Sequence, residues 1–203
     1  MARGTLFVVS APSGAGKTSL LAAVLKNTND LDVSISFTTR APRSKEIPGE
    51  SYFFVTKKDF MLMQEQDEFL ESAEVFGNNY GTGKSWVLDK LAQDRDVVLE
   101  IDWQGALQVK EKFPDAILIF ILPPSLSALE ARLEDRAQDS HQVQLERLSK
   151  AKLEISKHKF FDYLIVNDDF KQASLELLSI FMTSRLQQKY QQKRLSKLLD
   201  NLS

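Results

Sequence analysis

One octapeptide constrains the fold of this chain more than any other feature. It is Ala11-Pro12-Ser13-Gly14-Ala15-Gly16-Lys17-Thr18, set between the apolar run Thr5 to Ser10 and a helical stretch from Lys17 to Lys26. A glycine-rich loop in that position turns successive backbone N–H groups toward one point, and the start of the helix adds partial positive charge. The result is a cradle for phosphates. Lys17 is placed to reach the outer phosphates and the Thr18 hydroxyl to hold Mg2+. The first position of such a loop is usually glycine, and here it is Ala11. A chance glycine turn ahead of a helix would look similar in isolation. The buried strand before it and the amphipathic helix after it give the context that phosphate binding requires.

The rest of the chain repeats that strand-then-helix rhythm, which predicts a parallel sheet wrapped by helices. The expected core strands are Thr5 to Ser10, Asp96 to Ile101, Ala116 to Leu122 and Tyr163 to Val166, continuous apolar runs suited to burial on both faces. The expected helices are Lys17 to Lys26, Lys84 to Ala92, Ala106 to Lys112, Leu126 to Arg136 and Val143 to Lys157, with one-sided helical spacing again from Phe170 to Leu202. Residues 36–83 break the rhythm. They are polar and rich in turn formers, which predicts an inserted lobe of small antiparallel strands plus one helix that starts at the capping box Thr56 to Asp59 and ends near Gln66. A charge-dense stretch from Asp135 to Gln144 reads as a second insertion.

At 203 residues the chain is sized for one compact domain, and a net charge of −2 argues against a protein that holds nucleic acid by bulk charge. It has no cysteine, which excludes disulfides, thiolate nucleophiles and cysteine-based metal sites. Its only histidines are His141 and His158. The apolar run Leu6 to Val9 is far too short for a signal or membrane segment, so a cytoplasmic location with no membrane partner is expected.

Three further clusters gain meaning from the P-loop. Pro42 keeps the segment Ser36 to Arg43 out of a helix, so Arg40 and Arg43 sit on a loop beside several hydroxyls. Two guanidinium groups there fit a phosphate oxyanion, although taken alone a solvated loop with surface ion pairs is the commoner reading of exposed arginines. With donor phosphates already housed, a second anion site implies a phosphorylated acceptor. The apolar strand ending in Glu100 and Asp102 can orient the water shell of Mg2+ or simply cap the next helix. Arg132 and Arg136 share a helix face, and with Arg147 they are either a wet surface or a cover for a transferring phosphoryl group.

Taken together these residues resemble the guanylate kinases, most of all the bacterial ones. The resemblance rests on APSGAGKT at 11–18, TTRAPR at 38–43, GESYFFV at 49–55, FLESAEVFGNNYGT at 69–82, LEIDWQG at 99–105, FILPPS at 120–125 and LIVNDD at 164–169. It implies a single domain with a P-loop NTPase three-layer α/β core (residues 1–35, 84–125 and 148–203), an inserted GMP-binding lobe (36–83) and a short helical lid (126–147). It implies the reaction of ATP and Mg2+ with GMP or dGMP. Arg40, Arg43, Tyr52 and Tyr80 would bind the acceptor phosphate, and Glu71 would accept from guanine N1–H and the 2-amino group. Ser36 and Thr82 would contact the base. Glu100 and Asp102 would lie near the acceptor nucleoside and the metal's water shell, and Asn167 near the donor adenine. Lys17, Arg40, Arg132, Arg136 and Arg147 would carry catalysis.

The chain departs from the family pattern at Ala11, at Asn79 where tyrosine is usual, and at Asp135 and Ala137 where the lid has glycines. The lid changes bear on turnover more than on identity. Guanylate-kinase-like modules of scaffold proteins are silent relatives that bind phosphorylated protein segments, but they erode the P-loop, and Gly16, Lys17 and Thr18 are intact here. A small kinase for another acceptor is the remaining alternative, against which Glu71 speaks for guanine. Leucines 195, 198 and 199 near the C-terminus suit a homo-oligomer contact or packing against the core.

Overall fold

A computed structural model describes residues 4–28, 31–44, 46–75, 77–134 and 141–202, without the side chains of residues 134, 141–147 and 193. Strand β1 (Leu6–Ser10) runs through the glycine-rich loop into α1 (Lys17–Leu25), and β2 (Leu31–Val33) follows. Next come β3 (Phe37–Thr38), β4 (Phe53–Phe54), α2 (Lys57–Glu65), β5 (Phe69–Val75) and β6 (Asn78–Gly83). Helix α3 (Lys84–Ala92) leads to β7 (Asp96–Glu100), α4 (Trp103–Lys112) and β8 (Ile117–Leu122). The pair α5 (Leu126–Glu134) and α6 (His141–Ser156) precedes β9 (Tyr163–Val166), and α7 (Phe170–Arg185), α8 (Gln188–Arg194) and α9 (Ser196–Leu202) end the chain.

The core is a five-stranded sheet in the order β2-β7-β1-β8-β9, parallel throughout. Alternation along β1 sends Phe7 and Val9 to one face and Leu6 and Val8 to the other. On the first face they meet Leu20, Leu21 and Val24 of α1 and Ala173, Leu177 and Phe181 of α7. On the second they meet Val87 and Leu91 of α3 and Ala106 and Val109 of α4. Each of the valine, leucine and phenylalanine side chains among them, fully buried, stabilises the fold by about 1.5–3 kcal/mol. The edge-to-face contact of Phe7 with Phe181, centroids 4.8 Å apart, ties the last long helix to the central strand. Because β7 and β8 flank β1 on opposite sides, the connections diverge at its C-terminal end and open a crevice there. The P-loop and the acids at the end of β7, Glu100 and Asp102, both lie at that edge.

The inserted residues form a second sheet, ordered β4-β3-β6-β5, whose face is covered by α2 where Phe60 stacks on Phe69 at 4.5 Å. The Thr56 cap expected for α2 is present, with its hydroxyl accepting from Asp59 N at 3.1 Å. Helix α4 stitches this sheet to the core. Gln108 bonds both main-chain groups of Ser72, at 3.1 and 2.8 Å, and Lys112 donates to the Leu70 carbonyl at 2.6 Å.

Four expectations need correcting. The inserted strands are not all antiparallel, since β3 and β4 pair parallel. The long connection between them closes with the turn at Gly49, whose N–H bonds the Tyr52 carbonyl at 2.9 Å, and returns the chain in its original direction. Strand β2 was not expected, because a three-residue edge strand leaves no apolar run to recognise. Residues 141–144 belong to α6 rather than to an insertion, while Asp135–Ala137 lie outside the described residues. Beyond Arg185 the chain breaks into two seven-residue helices, and no residue of α9 is buried. Without burial, nothing holds that stretch on the axis of α7.

Candidate active site

The P-loop backbone has the left-handed bends its sequence suggests, with Gly14 at φ 89° and Gly16 at φ 92°. Gly16 is required twice over, since a Cβ there would also collide with the Asn167 amide. That amide donates to the Ala15 carbonyl at 2.7 Å, in a buried bond, and Asn167 is 5% exposed. Asn167 is thus committed to holding the shape of the loop. Its own backbone carbonyl accepts from the Arg132 guanidinium at 3.1 Å, so one residue connects the P-loop to α5.

At the start of α1, Lys17 donates to the Ile101 carbonyl at 3.0 Å, and the Thr18 hydroxyl donates to the Glu100 carboxylate. Asp102 has a different task. Its two carboxylate oxygens accept from Gly105 N at 2.9 Å and from the Gln104 amide at 3.1 Å, so it caps α4. Of the two readings open for these acids, Asp102 takes the helix cap, while Glu100 lies on the Thr18 hydroxyl. No group of three histidine or acidic side chains among the described residues could hold a metal unaided.

Across the crevice, Glu71 on β5 is 3% exposed and accepts from the Thr82 hydroxyl at 2.6 Å, its cross-strand partner on β6. Burial pushes the Glu71 carboxyl up to about 7, with the Thr82 hydrogen bond opposing and the Asp102 charge assisting. Its second oxygen lies against Gly105 so closely that a Cβ there would clash. Gly105 is therefore a site residue that sequence reasoning missed, because its role depends on a strand more than thirty residues away. Ser36 is nearly buried beside this group and Thr82 wholly so.

The arginine loop is built around a residue that also escaped notice. Glu46 accepts from the Arg40 guanidinium at 2.8 and 3.0 Å and from Arg43 N at 2.8 Å. The Arg40 pair holds the Glu46 carboxyl below the usual range, and Glu46 in turn raises Arg40. Arg40 also donates to the Tyr80 hydroxyl at 3.3 Å and lies 5.5 Å from the Tyr52 ring centroid. Burial pushes the Tyr52 phenol up, so it remains a hydroxyl donor at neutral pH. At Asn79 the missing tyrosine has little consequence for the loop, since the Asn79 backbone bonds Thr38 and Thr39.

A single cavity of about 280 Å³ joins these halves. Its walls carry the P-loop with Lys17 and Thr18, the acids Glu71, Glu100 and Asp102, and the acceptor-side residues Ser36, Arg43, Tyr52 and Tyr80. Arg40 stands behind Tyr52 and Tyr80, and Thr82 behind Glu71. Arg136 lies outside the described residues, and so does the side chain of Arg147, on α6.

This geometry matches a known group of proteins. The sequence model of the guanylate kinase family matches residues 3–184. The chain belongs to the guanylate kinase family. It is 54% identical to the guanylate kinase of Hahella chejuensis over 194 residues, 96% of this chain and 93% of that one. It is 50% identical to that of Salmonella typhimurium, over 100% of this chain and 99% of its relative. Among solved structures, the guanylate kinase from Anaplasma phagocytophilum superposes with a TM-score of 0.78 at 31% identity, covering 92% of this chain and 89% of that one. A guanylate kinase is a phosphotransferase on a P-loop NTPase fold, and the parallel sheet and crevice described above are that fold.

Proposed function

We propose that this chain transfers the γ-phosphoryl group of ATP to GMP or dGMP, with the P-loop as donor site and the β3–β6 sheet as acceptor site. The observation that carries this reading is the shared cavity: Lys17 and Thr18 face the same space as Arg43, Tyr52, Glu71 and Tyr80. A hydrolase needs no second anion site, whereas a transferase between two phosphorylated molecules does. No side-chain nucleophile is needed, since an acceptor phosphate oxygen attacks the γ-phosphorus in line. Ala11 to Thr18 cradle the donor phosphates, Asn167 supporting that loop, and Lys17 leaves the Ile101 carbonyl for their oxygens. Arg40, Arg43, Tyr52 and Tyr80 anchor the GMP phosphate, Glu71 with Ser36 and Thr82 reads guanine, and Glu100 and Asp102 line the space between. Arg132, Arg136 and Arg147 neutralise the transferring group.

Mg2+ fits this site. Thr18 and Glu100 offer a hard-oxygen pair rather than a full cage, which suits an ion carried mostly by phosphates and water, with Asp102 reaching it through water. Bound there, the ion would withdraw charge from the β and γ phosphates. No helix among the described residues is long and apolar enough to cross a membrane. A cytoplasmic role in purine nucleotide metabolism, with no nucleic acid or membrane partner, belongs to the same proposal. The exposed Leu195, Leu198, Leu199 and Leu202 support a subunit contact, which sedimentation would test.

A coupled assay with GMP, dGMP, AMP and water as acceptors tests the reaction. ADP should form with GMP and dGMP, with AMP slower by about a hundredfold or more because it leaves the Glu71 carboxylate unpaired. A protein that binds both nucleotides yet forms no ADP is the silent module instead. Glu46 yields a finer test. It ties the guanidinium of Arg40 to the backbone of Arg43, so Glu46→Gln should raise KM for GMP about tenfold, roughly 1.4 kcal/mol, while KM for ATP stays put. A lower KM for GMP would make Glu46 a competitor of the phosphate rather than its support.

A further inference from the structure

The P-loop already carries an anion. Glu154, on α6, accepts from Ser13 N through Oε2 at 3.2 Å, and its side chain forms part of the cavity wall beside Lys17. Ser13 N–H is one of the loop donors available to a phosphate oxygen. The contact spans 141 residues of sequence. It differs in kind from that of Glu46, whose carboxylate is wound into its own loop by bonds to Arg40 and Arg43 at 2.8–3.0 Å. Glu154 holds the P-loop by one bond and comes from a separate helix, so it can leave without unmaking the loop.

We propose that Glu154 is a surrogate anion for the donor subsite: it satisfies the P-loop in the nucleotide-free cleft and is expelled as the phosphates of ATP arrive, and so lowers donor affinity. This rests on the reading of the P-loop as the ATP site. Three observations support it. A carboxylate and a polyphosphate cannot share one N–H donor, and their like charges repel strongly in a partly desolvated cleft. Burial pushes the Glu154 carboxyl up, with the Ser13 bond opposing, so its charged form is already disfavoured where it stands. The helix that carries it also has somewhere to transmit its movement. Ala151 and Ile155 pack on Leu129 and Leu133 of α5, and α6 includes Arg147 two turns before Glu154. Arg132 on α5 has a buried guanidinium nitrogen with no hydrogen-bond partner among the described residues. That free donor fits the role proposed above for Arg132 on an oxygen of the transferring group, on the helix that packs against the one carrying Glu154.

Binding calorimetry on the full chain, with each ligand alone, tests this. Glu154→Gln removes the charge and keeps the shape, and Glu154→Ala removes both while leaving a strong helix former on α6. Both variants should bind ATP and inorganic tripolyphosphate about three- to tenfold more tightly than the native chain, with GMP affinity unchanged. Equal or weaker ATP binding in both variants overturns the proposal, as does a GMP shift of the same size. Failure of the native chain to bind ATP at all overturns instead the donor-site reading beneath it.

Discussion

Lys17→Ala should reduce kcat by about a hundred- to a thousandfold, since it removes a positive charge aimed at the oxygens where charge develops during transfer. The fold should survive. The Lys17 ammonium bonds the Ile101 carbonyl at 3.0 Å, and losing such a bond costs about 1 kcal/mol. The size of the kinetic effect follows from where the ammonium is held. The bond keeps it at the C-terminal edge of β7, next to the Thr18–Glu100 pair proposed to hold the metal, rather than out in solvent. Steady-state kinetics combined with a thermal melt separates the possibilities. An activity within tenfold of native, with an unchanged melt, would remove the P-loop from the mechanism.

The P-loop was legible because its chemistry is local. Eight consecutive residues between a strand and a helix supply backbone donors, an ammonium and a hydroxyl by themselves, and the structure adds the Asn167 brace and the contacts of Ile101, Glu100 and Glu154. The central strands were legible for a similar reason, being runs long enough to demand burial on both faces. What the sequence concealed depends on contacts across the fold. Gly105 matters because β5 brings Glu71 against it, and Glu154 because α6 folds back over Ser13. Glu46 is an intermediate case: it lies three residues beyond Arg43 in the same loop, a spacing at which a carboxylate can accept from a backbone N–H, yet nothing in that spacing announces the pair with Arg40.

The acids also revise the meaning of a net charge of −2. A cleft meant for two polyanions would be strongly positive if its cations faced it alone. Here Glu46 sits on Arg40, Glu100 on Thr18 and Glu154 on the P-loop. Arg40, the Thr18 hydroxyl and the P-loop thus each have an internal carboxylate, whereas Lys17 and Arg132 rest on backbone carbonyls, and the added negative charge offsets part of the repulsion among the cations. The carboxylates divide by how firmly they are held, from Glu46 with several bonds to Glu154 with one.

Glu71→Gln should lower kcat/KM for GMP by about a hundredfold or more while improving stability at alkaline pH. The kinetic loss follows from hydrogen bonding. A carboxylate can accept from both guanine N1–H and the 2-amino group, whereas a glutamine amide offers one acceptor and turns a donor toward a donor. The stability gain follows from the sign of the shift. The Glu71 carboxyl titrates at about 7 in the fold, above its ordinary value, so its contribution favours the folded state at acid pH and is lost as pH rises through 7. At pH 8 the native chain buries a costly charge and the glutamine variant does not, so the variant should unfold at the higher temperature. The same titration makes nucleoside recognition depend on pH. Guanosine, which lacks the phosphate and its own ionisation near pH 6, should bind the native chain fully above about pH 7 and lose about tenfold in affinity per unit well below it. Gly105→Ala, which drives a methyl group into the Glu71 oxygen, should weaken guanosine binding at every pH without abolishing ATP binding. Guanosine affinity that is flat from pH 5.5 to 8, or a glutamine variant that keeps the native preference for GMP over AMP, would remove Glu71 from guanine recognition.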